Sequence, residues 1–299
     1  MSNCVLFTIP GNEVLANSLI KLLHAEPGEA IIRHFPDGET YVKVNSNVHE
    51  KEAIIVCSLH QPDDKILPLY FLAQTLKEFG AFPVTLVVPY LAYMQQDKRF
   101  SNGECISSEL FARLLSSFVD KLITIDPHLH RRTSLDEIYS IHTSVLHVSH
   151  MVSKWINANI EQPVLIGPDS ESEQWVSKVA ADANAPYTIL EKDFKSNSVV
   201  TLSVPQFEEY KKHTPVLVDD IIATGNTMIE SIEALKEVGM KAPVCIGIHA
   251  VFAELAYDRL IKAGAEKVVT CNTIAHPSNA VYIDELLAQQ ICKSSFVID

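Results

Sequence analysis

Short, mainly apolar runs recur along the chain and are separated by amphipathic stretches of helical length. Examples are the runs 84–88 (VTLVV), 121–125 (KLITI) and 216–218 (VLV). A strand that is apolar on both faces must be covered on both faces, and a parallel sheet with helices on each side provides that cover. The pattern therefore predicts an α/β fold in which each sheet is mainly parallel.

The chain is long enough for more than one such unit. Its 299 residues, 47% of them hydrophobic, favour about two domains. Residues 121–128 (KLITIDPH) are similar in character to 267–274 (KVVTCNTI), which is typical of a duplicated unit. We therefore expect a first domain over 1–145 and a second over 146–299. In such folds the functional side chains lie beyond the carboxyl ends of the strands.

Charge and composition argue against several classes of function. The formal net charge is −13, and a field of that sign repels polyanions, so we expect no nucleic-acid binding. No apolar run reaches the roughly 18 residues that span a bilayer, and the first residues lack the pattern of a secretory signal. The six cysteines are scattered without a Cys-x-x-Cys pair. This favours small buried thiols and a cytoplasmic protein.

The strongest functional signal lies in residues 216–228 (VLVDDIIATGNTM). An apolar strand ends in Asp219 and Asp220, passes through a short Thr/Gly/Asn/Thr turn and enters a helix. The N–H groups of such a turn form an anion cradle that suits a phosphate monoester. The two carboxylates can accept hydrogen bonds from a sugar diol. A purely structural alternative makes the acidic pair a helix cap and Thr227 the N-cap, but the combination favours function.

This segment resembles the ribose-phosphate motif of the phosphoribosyltransferase superfamily. The resemblance implies two tandem phosphoribosyltransferase-like domains, each a mainly parallel sheet flanked by helices. It does not distinguish enzymes that make phosphoribosyl diphosphate from enzymes that use it. It implies that ribose 5-phosphate is bound by Asp219, Asp220, Ala223, Thr224, Gly225, Asn226 and Thr227.

Four further segments resemble the ribose-phosphate pyrophosphokinase family: 35–42 (FPDGETYV), 89–108, 124–130 (TIDPHLH) and 166–175 (IGPDSESEQW). The first is similar to a family loop that holds adenine and reaches across a subunit interface. The implied ATP-binding residues are Phe35, Asp37, Glu39, Gln95, Gln96, Asp97, Lys98, Arg99 and His128. The resemblance implies magnesium ligands at His128 and Asp169, with Asp169 also near the ribose. A turn role for Asp169 remains an alternative.

Residues 190–195 (LEKDFK) resemble the mobile basic loop of the same family. Lys192 matches its catalytic lysine. Phe194 stands where the family usually has an arginine, and Lys195 is the nearest replacement. Gln95 likewise stands where the family usually has an arginine in the nucleotide loop. A lysine carries a point charge, whereas an arginine carries a planar fork of donors. Lys195 is therefore not an equivalent replacement for the arginine that is absent at position 194.

The resemblance implies transfer of the diphosphoryl group of ATP to the anomeric hydroxyl of ribose 5-phosphate, which gives phosphoribosyl diphosphate and AMP. It also implies Mg²⁺ as cofactor, at least a homodimer, and a C-terminal stretch that returns to the first domain. The main alternative is a weak or inactive regulatory homologue, because Gln95 and Phe194 remove two cations. A nucleobase phosphoribosyltransferase is disfavoured by the ATP loop in the first domain. A non-enzymatic binding module is disfavoured by Lys192 and the Asp219–Asp220 pair.

Overall fold

The computed structural model describes residues 4–169, 172–190 and 209–295. These residues belong to two compact units. The first unit contains 4–146 together with 273–275 and 283–295. The second contains the described residues of 147–272 together with 276–282. The chain therefore leaves the first unit after residue 146 and returns to it only after most of the second unit is complete.

Strands and helices alternate through most of both units. The strands are β1 (Cys4–Thr8), β2 (Glu26–Pro27), β3 (Ala30–His34), β4 (Thr40–Val44), β5 (Glu52–Val56), β6 (Val84–Val88), β7 (Lys121–Ile125), β8 (His142–Leu146), β9 (Pro163–Gly167), β10 (Tyr187–Ile189), β11 (Thr214–Ile222), β12 (Val244–Ala250), β13 (Lys267–Cys271) and β14 (Asn279–Val281). The helices are α1 (Glu13–Leu23), α2 (Asp63–Glu78), α3 (Ser107–Ser116), α4 (Ser149–Asn159), α5 (Glu173–Ala183), α6 (Asn226–Glu237), α7 (Ala256–Ala263) and α8 (Asp284–Ser295). Within the described ranges, no helix has both the length and the apolarity needed to cross a bilayer.

In the described part of the first unit, six strands form a parallel sheet in the order β2-β1-β5-β6-β7-β8. The middle strands are buried in one core with Leu72 of α2 and Leu115 of α3. Strands β3 and β4 pair antiparallel as a separate hairpin. Helix α8 packs on α1, and Lys121 Nζ donates to the Ser294 carbonyl at 2.7 Å. Residues 283–295 therefore belong to this unit.

In the described part of the second unit, six strands form a parallel sheet in the order β10-β9-β11-β12-β13-β14. The central strand β11 is longer than the apolar run 216–218 predicts. Its pairing with β12 continues through Asp219 opposite Gly247 and Ile222 opposite Ala250. Pairing with β12 thus extends β11 through its two aspartates. Both sheets are parallel, so the predicted α/β fold is confirmed.

The cysteines lie mostly in the cores. Cys4, Cys57, Cys245 and Cys271 are buried, and no disulfide joins any of the six cysteines, all of which lie in the described residues. Burial raises the pKa of Cys57 and of Cys245 to about 12. These two thiols therefore stay protonated at neutral pH and behave as small apolar side chains.

Candidate active site

Residues 223–225 connect β11 to α6 and, with the first two helical residues Asn226 and Thr227, form the segment called the 223–227 loop, whose conformation Gly225 determines. Gly225 is the N-cap of α6 and has φ +74°, a left-handed conformation that strains any residue with a Cβ atom. The helix thus begins at Asn226, so Thr227 lies within it and is not its N-cap. The first N–H groups of a helix have no partner inside it. The loop therefore presents backbone donors and the positive helix end, which suits an anion.

Three carboxylates of the second unit lie close to one another, those of Asp219, Asp220 and Asp169. Burial raises the pKa of the Asp219 carboxyl well above its usual value, and the charges of Asp220 and then Asp169 raise it further. Asp219 Oδ1 also accepts a hydrogen bond from the Asp220 N–H at 2.9 Å. Since Asp219 and Asp220 lie in the last part of β11, just before the 223–227 loop, acidic and anion-binding groups are adjacent.

Asp169 also has a structural part in the turn after β9. Its Oδ1 atom accepts a hydrogen bond from the Ser172 N–H at 3.1 Å, and its carbonyl accepts one from Ser172 Oγ at 2.6 Å. Ser172 lies outside β9 and is the N-cap of α5, so these bonds connect the end of β9 to the start of that helix. The turn role and proximity to Asp219 are therefore compatible, because one carboxylate has two oxygen atoms with several acceptor positions.

The acidic group fits a divalent cation. Burial and the neighbouring charges of Asp220 and Asp169 disfavour ionisation of Asp219, and a cation of charge +2 would offset that penalty. Mg²⁺ prefers oxygen ligands such as carboxylates. Asp169, Asp219 and Asp220 thus form a donor set of the type that magnesium binds.

In the first unit, the predicted nucleotide segment is tied to α3 and to the segment after β7. Ser107 Oγ donates to Gln96 Oε1 at 2.6 Å. Arg131 Nη1 donates to the Asp97 carboxylate at 3.1 Å and 3.3 Å, and the Asp97 side chain is only 6% exposed. Asp97 is therefore held in an ion pair, and the arginine that holds it was not identified from the sequence.

The other basic residues of this segment lie at the surface, as does Gln95. Arg99 Nε donates to the Glu104 carbonyl at 3.0 Å. The ammonium group of Lys98 lies 5.2 Å from the centre of the Phe100 ring, and the Arg131 guanidinium lies 5.8 Å from it. Two cationic side chains thus lie near one aromatic ring.

The predicted adenine residues lie on the turn between β3 and β4. The Phe35 N–H donates to the Glu39 carbonyl at 2.8 Å, and the Glu39 N–H donates to Asp37 Oδ1 at 3.1 Å. The Arg33 guanidinium lies 4.7 Å from the centre of the Phe35 ring and 4.4 Å from that of Tyr41. Phe35 is 39% exposed, so its ring is supported from within the hairpin and remains accessible for stacking.

His128 lies just after β7, where the chain turns sharply. Asp126 and His128 have positive φ values of 34° and 55°. His128 Nδ1 and His130 Nε2 are 3.0 Å apart, and their ring centres are 4.0 Å apart. His128 therefore lies at the carboxyl end of a strand as predicted, in contact with His130. Lys192, Phe194 and Lys195 lie outside the described residues.

A further residue missed by sequence reasoning contacts the 223–227 loop. Arg259 of α7 donates from Nη1 to the Thr224 carbonyl at 3.1 Å and from Nη2 to Asn226 Oδ1 at 2.7 Å. A single arginine on a helix 35 residues downstream of Thr224 has no local signal in the sequence. Only the packing of α7 against the loop reveals it.

The parallel sheets and the loop before α6 define a protein of the phosphoribosyltransferase class. Residues 134–285 match the family model of the phosphoribosyl transferase domain. Residues 4–118 match that of the N-terminal domain of ribose phosphate pyrophosphokinase. The fold class that the resemblance implies, with two phosphoribosyltransferase-like domains, is thereby confirmed.

Individual relatives cover almost the whole chain. It is 32% identical over 261 residues to ribose-phosphate pyrophosphokinase of Saccharolobus solfataricus, covering 86% of this chain and 88% of the relative. It is 29% identical over 287 residues to that of Sulfolobus acidocaldarius, covering 94% of each. The crystal structure of phosphoribosylpyrophosphate synthetase from Mycobacterium smegmatis matches with a TM-score of 0.87 and 25% identity, over 98% of this chain and 99% of that one. The chain belongs to the ribose-phosphate pyrophosphokinase family.

Proposed function

We propose that this chain transfers the diphosphoryl group of ATP to the anomeric hydroxyl of ribose 5-phosphate, which yields phosphoribosyl diphosphate and AMP. The observation that carries the proposal is the end of β11, where Asp219 and Asp220 lie one short step before the anion cradle at 223–227. A sugar phosphate needs both kinds of group, a carboxylate for the diol and N–H donors for the phosphate. The family to which the chain belongs gives the second substrate and the reaction.

For ribose 5-phosphate, the proposal assigns the phosphate to the 223–227 loop and the hydroxyls to Asp219 and Asp220. Thr224 and Thr227 add hydroxyl donors beside the N–H groups. Asp219 pairs with Gly247 of β12, and the part of β11 that precedes it, through Leu217, pairs with β9 as well. The backbone that carries the carboxylates is therefore fixed, which favours precise positioning of the sugar.

For ATP, the proposal assigns adenine to Phe35, Asp37 and Glu39, and the phosphates to the segment from Gln95 to Arg99. The Arg131–Asp97 ion pair supports this assignment, because it fixes the nucleotide segment and brings a cation to a loop in which Gln95 supplies none. We assign His128 to the magnesium that accompanies ATP and Asp169 to a second magnesium near the ribose. Bound magnesium would supply charge neutralisation at the phosphates.

In the reaction, the anomeric oxygen forms a bond to the β-phosphorus of ATP, and the bond from that phosphorus to the α–β bridging oxygen breaks. The electron pair and the negative charge leave with AMP, and the hydroxyl proton is lost to the surroundings. Such a displacement depends on positioning and on charge neutralisation. We assign Lys192 and Lys195, which lie outside the described residues, as the cations that act on the transferred phosphates.

The test is AMP formation from ATP and magnesium by the purified protein, with and without ribose 5-phosphate. AMP should form only with the sugar phosphate, and Lys192→Ala should abolish it. Lys262→Ala is the matched control, because Lys262 is an exposed lysine on α7 and its loss should leave the rate unchanged. Ribose 5-phosphate binding without any sugar-dependent AMP would overturn the proposal in favour of a regulatory homologue.

We also propose at least a homodimer and a cytoplasmic location. An apolar groove of about 360 Å³ opens on the surface of the first unit and is lined partly by Ile66, Leu110 and Leu114. The two leucines are exposed, and apolar surface of this kind favours contact with another subunit. Sedimentation equilibrium at the mass of one chain would refute the dimer.

Buried thiols without disulfides in the described residues support a reducing compartment.

A further inference from the structure

The 223–227 loop is held from behind by Arg259, a side chain in none of the motifs above. We propose that Arg259 is a positioning residue that sets the orientation of the Thr224–Gly225 peptide for phosphate binding. The proposal rests on the assignment of this loop to ribose 5-phosphate. It concerns a residue that need not touch the substrate and that acts through the backbone of the loop.

The geometry of one peptide group carries the inference. The Thr224–Gly225 peptide is trans, so its C=O and N–H bonds point in opposite directions. Arg259 Nη1 donates to the Thr224 carbonyl at 3.1 Å, which directs that carbonyl toward α7. The Gly225 N–H of the same peptide is thereby directed away from α7. A charged donor on the carbonyl also polarises the peptide and strengthens its N–H as a donor.

The second arm of the guanidinium orients the side chain of Asn226. Nη2 donates to Asn226 Oδ1 at 2.7 Å. An amide side chain has its acceptor and its two donors on different atoms. With its oxygen on Arg259, the Asn226 side chain keeps its amide nitrogen for other partners. One planar fork thus fixes a backbone carbonyl and a side chain at once, which a single ammonium group does less well.

Helix α7 is itself seated against the loop, so Arg259 is held at a fixed distance from it. A Cβ atom at Gly225 would lie 3.5 Å from Ala256 Cβ and from Leu260 Cγ, and both of these α7 residues are buried. The residues at 256, 259 and 260 lie on one face of a helix. The arginine and the two packing residues therefore act on the loop together.

The segment that leads into α7 is strained. Phe252, Glu254 and Leu255 have positive φ values of 42°, 54° and 58°, which residues with side chains seldom adopt. Leu255 is 74% exposed, so burial of its own side chain does not compensate for the strain. The Phe252 N–H donates to the Ile222 carbonyl at 2.9 Å, which ties the segment to the end of β11. The seating of α7 on the loop is thus maintained against local backbone preference.

The test compares Arg259→Ala and Arg259→Lys with Lys262→Ala, which removes the same charge from the same helix three residues away. Arg259→Ala should raise the KM for ribose 5-phosphate about tenfold, which corresponds to about 1.4 kcal/mol. The KM for ATP should stay within about twofold, because both arms of Arg259 bond to the 223–227 loop. Arg259→Lys should recover part of the loss, and Lys262→Ala should match the wild type.

Titration of ribose 5-phosphate into each protein without ATP separates this proposal from the proposed function. A wild type that binds the sugar phosphate but forms no AMP would refute the function, while weaker binding by Arg259→Ala would still support the positioning role. Equal affinity in Arg259→Ala and wild type would overturn the role. So would equal losses for both substrates, or an equal loss in Lys262→Ala. If the alanine variant does not fold, Arg259→Gln removes the charge with less loss of volume and provides the comparison.

Discussion

Replacing Gly225 with alanine tests whether the left-handed turn before α6 makes the anion cradle. Gly225 has φ +74°, and an L-residue in that conformation costs roughly 1–2 kcal/mol. Alanine recovers about 0.4–1 kcal/mol through its lower entropy in the unfolded chain. The new Cβ would meet Ala256 Cβ at 3.5 Å, an ordinary contact without steric cost. The net loss of unfolding free energy is therefore about 1 kcal/mol.

Gly239 provides a matched control in the same unit. Its φ is +75°, and a Cβ atom there would have no heavy atom within 4 Å. Gly239→Ala should therefore cost the same free energy of unfolding as Gly225→Ala without touching the loop. Only Gly225→Ala should lose affinity for ribose 5-phosphate, by about tenfold or more, because relaxing φ reorients the peptides that donate to the phosphate. Gly225→Asn should be the milder change, since asparagine tolerates this region.

The assay has a convenient optical signal. The chain has two tryptophans, Trp155 and Trp175, and both lie in the second unit. Thermal unfolding followed by their fluorescence reports on that unit, and a loss of about 1 kcal/mol should lower its Tm by a few degrees. Calorimetric titration with ribose 5-phosphate gives the affinity. Unchanged affinity in Gly225→Ala, or an equal loss in Gly239→Ala, would refute the reasoning.

Two further predictions concern charged groups. The pKa of Asp219 is higher in the folded state than in the unfolded state. The free energy of unfolding therefore falls as the pH rises from the unfolded-state pKa to the folded-state pKa of this carboxyl. Asp219→Asn should raise the Tm of the ligand-free protein at pH 7, and the gain should vanish below about pH 4; a gain that persists in acid would contradict this cause. Arg131→Ala should lower the free energy of unfolding by about 1–3 kcal/mol, because it removes the ion pair of a nearly buried Asp97. The same change should raise the KM for ATP. Arg113→Ala, the exposed control on α3, should stay within about 0.5 kcal/mol in unfolding titrations, and an equal cost in both variants would contradict the role of the pair.

The sequence predicted those features that neighbouring residues determine. The apolar run before Asp219, the Thr/Gly/Asn/Thr turn and the helix after it are encoded within about a dozen residues. The N-cap was harder to locate, because both Gly225 and Thr227 are compatible with a helix start and only φ decides between them. The extension of β11 to Ile222 depends on its pairing with β12, which is a contact between distant residues.

The supporting arginines could not be predicted for the same reason. Arg259 reaches Thr224 across 35 positions of sequence, and Arg131 reaches Asp97 across 34. A local pattern carries no information about which distant cation will arrive at a given loop. The motifs thus identified the candidate substrate-facing residues, while the residues that hold those loops in place emerged only from packing.

The route of the chain has a consequence for its synthesis. Helix α8 packs on α1, yet about 260 residues separate the end of α1 from the start of α8. During translation α1 emerges from the ribosome early. Its packing partner α8 is synthesised only after almost the whole second unit. The inserted unit can reach its native state first, as a completed domain. The first unit therefore receives its last described helix only after the second unit has been made.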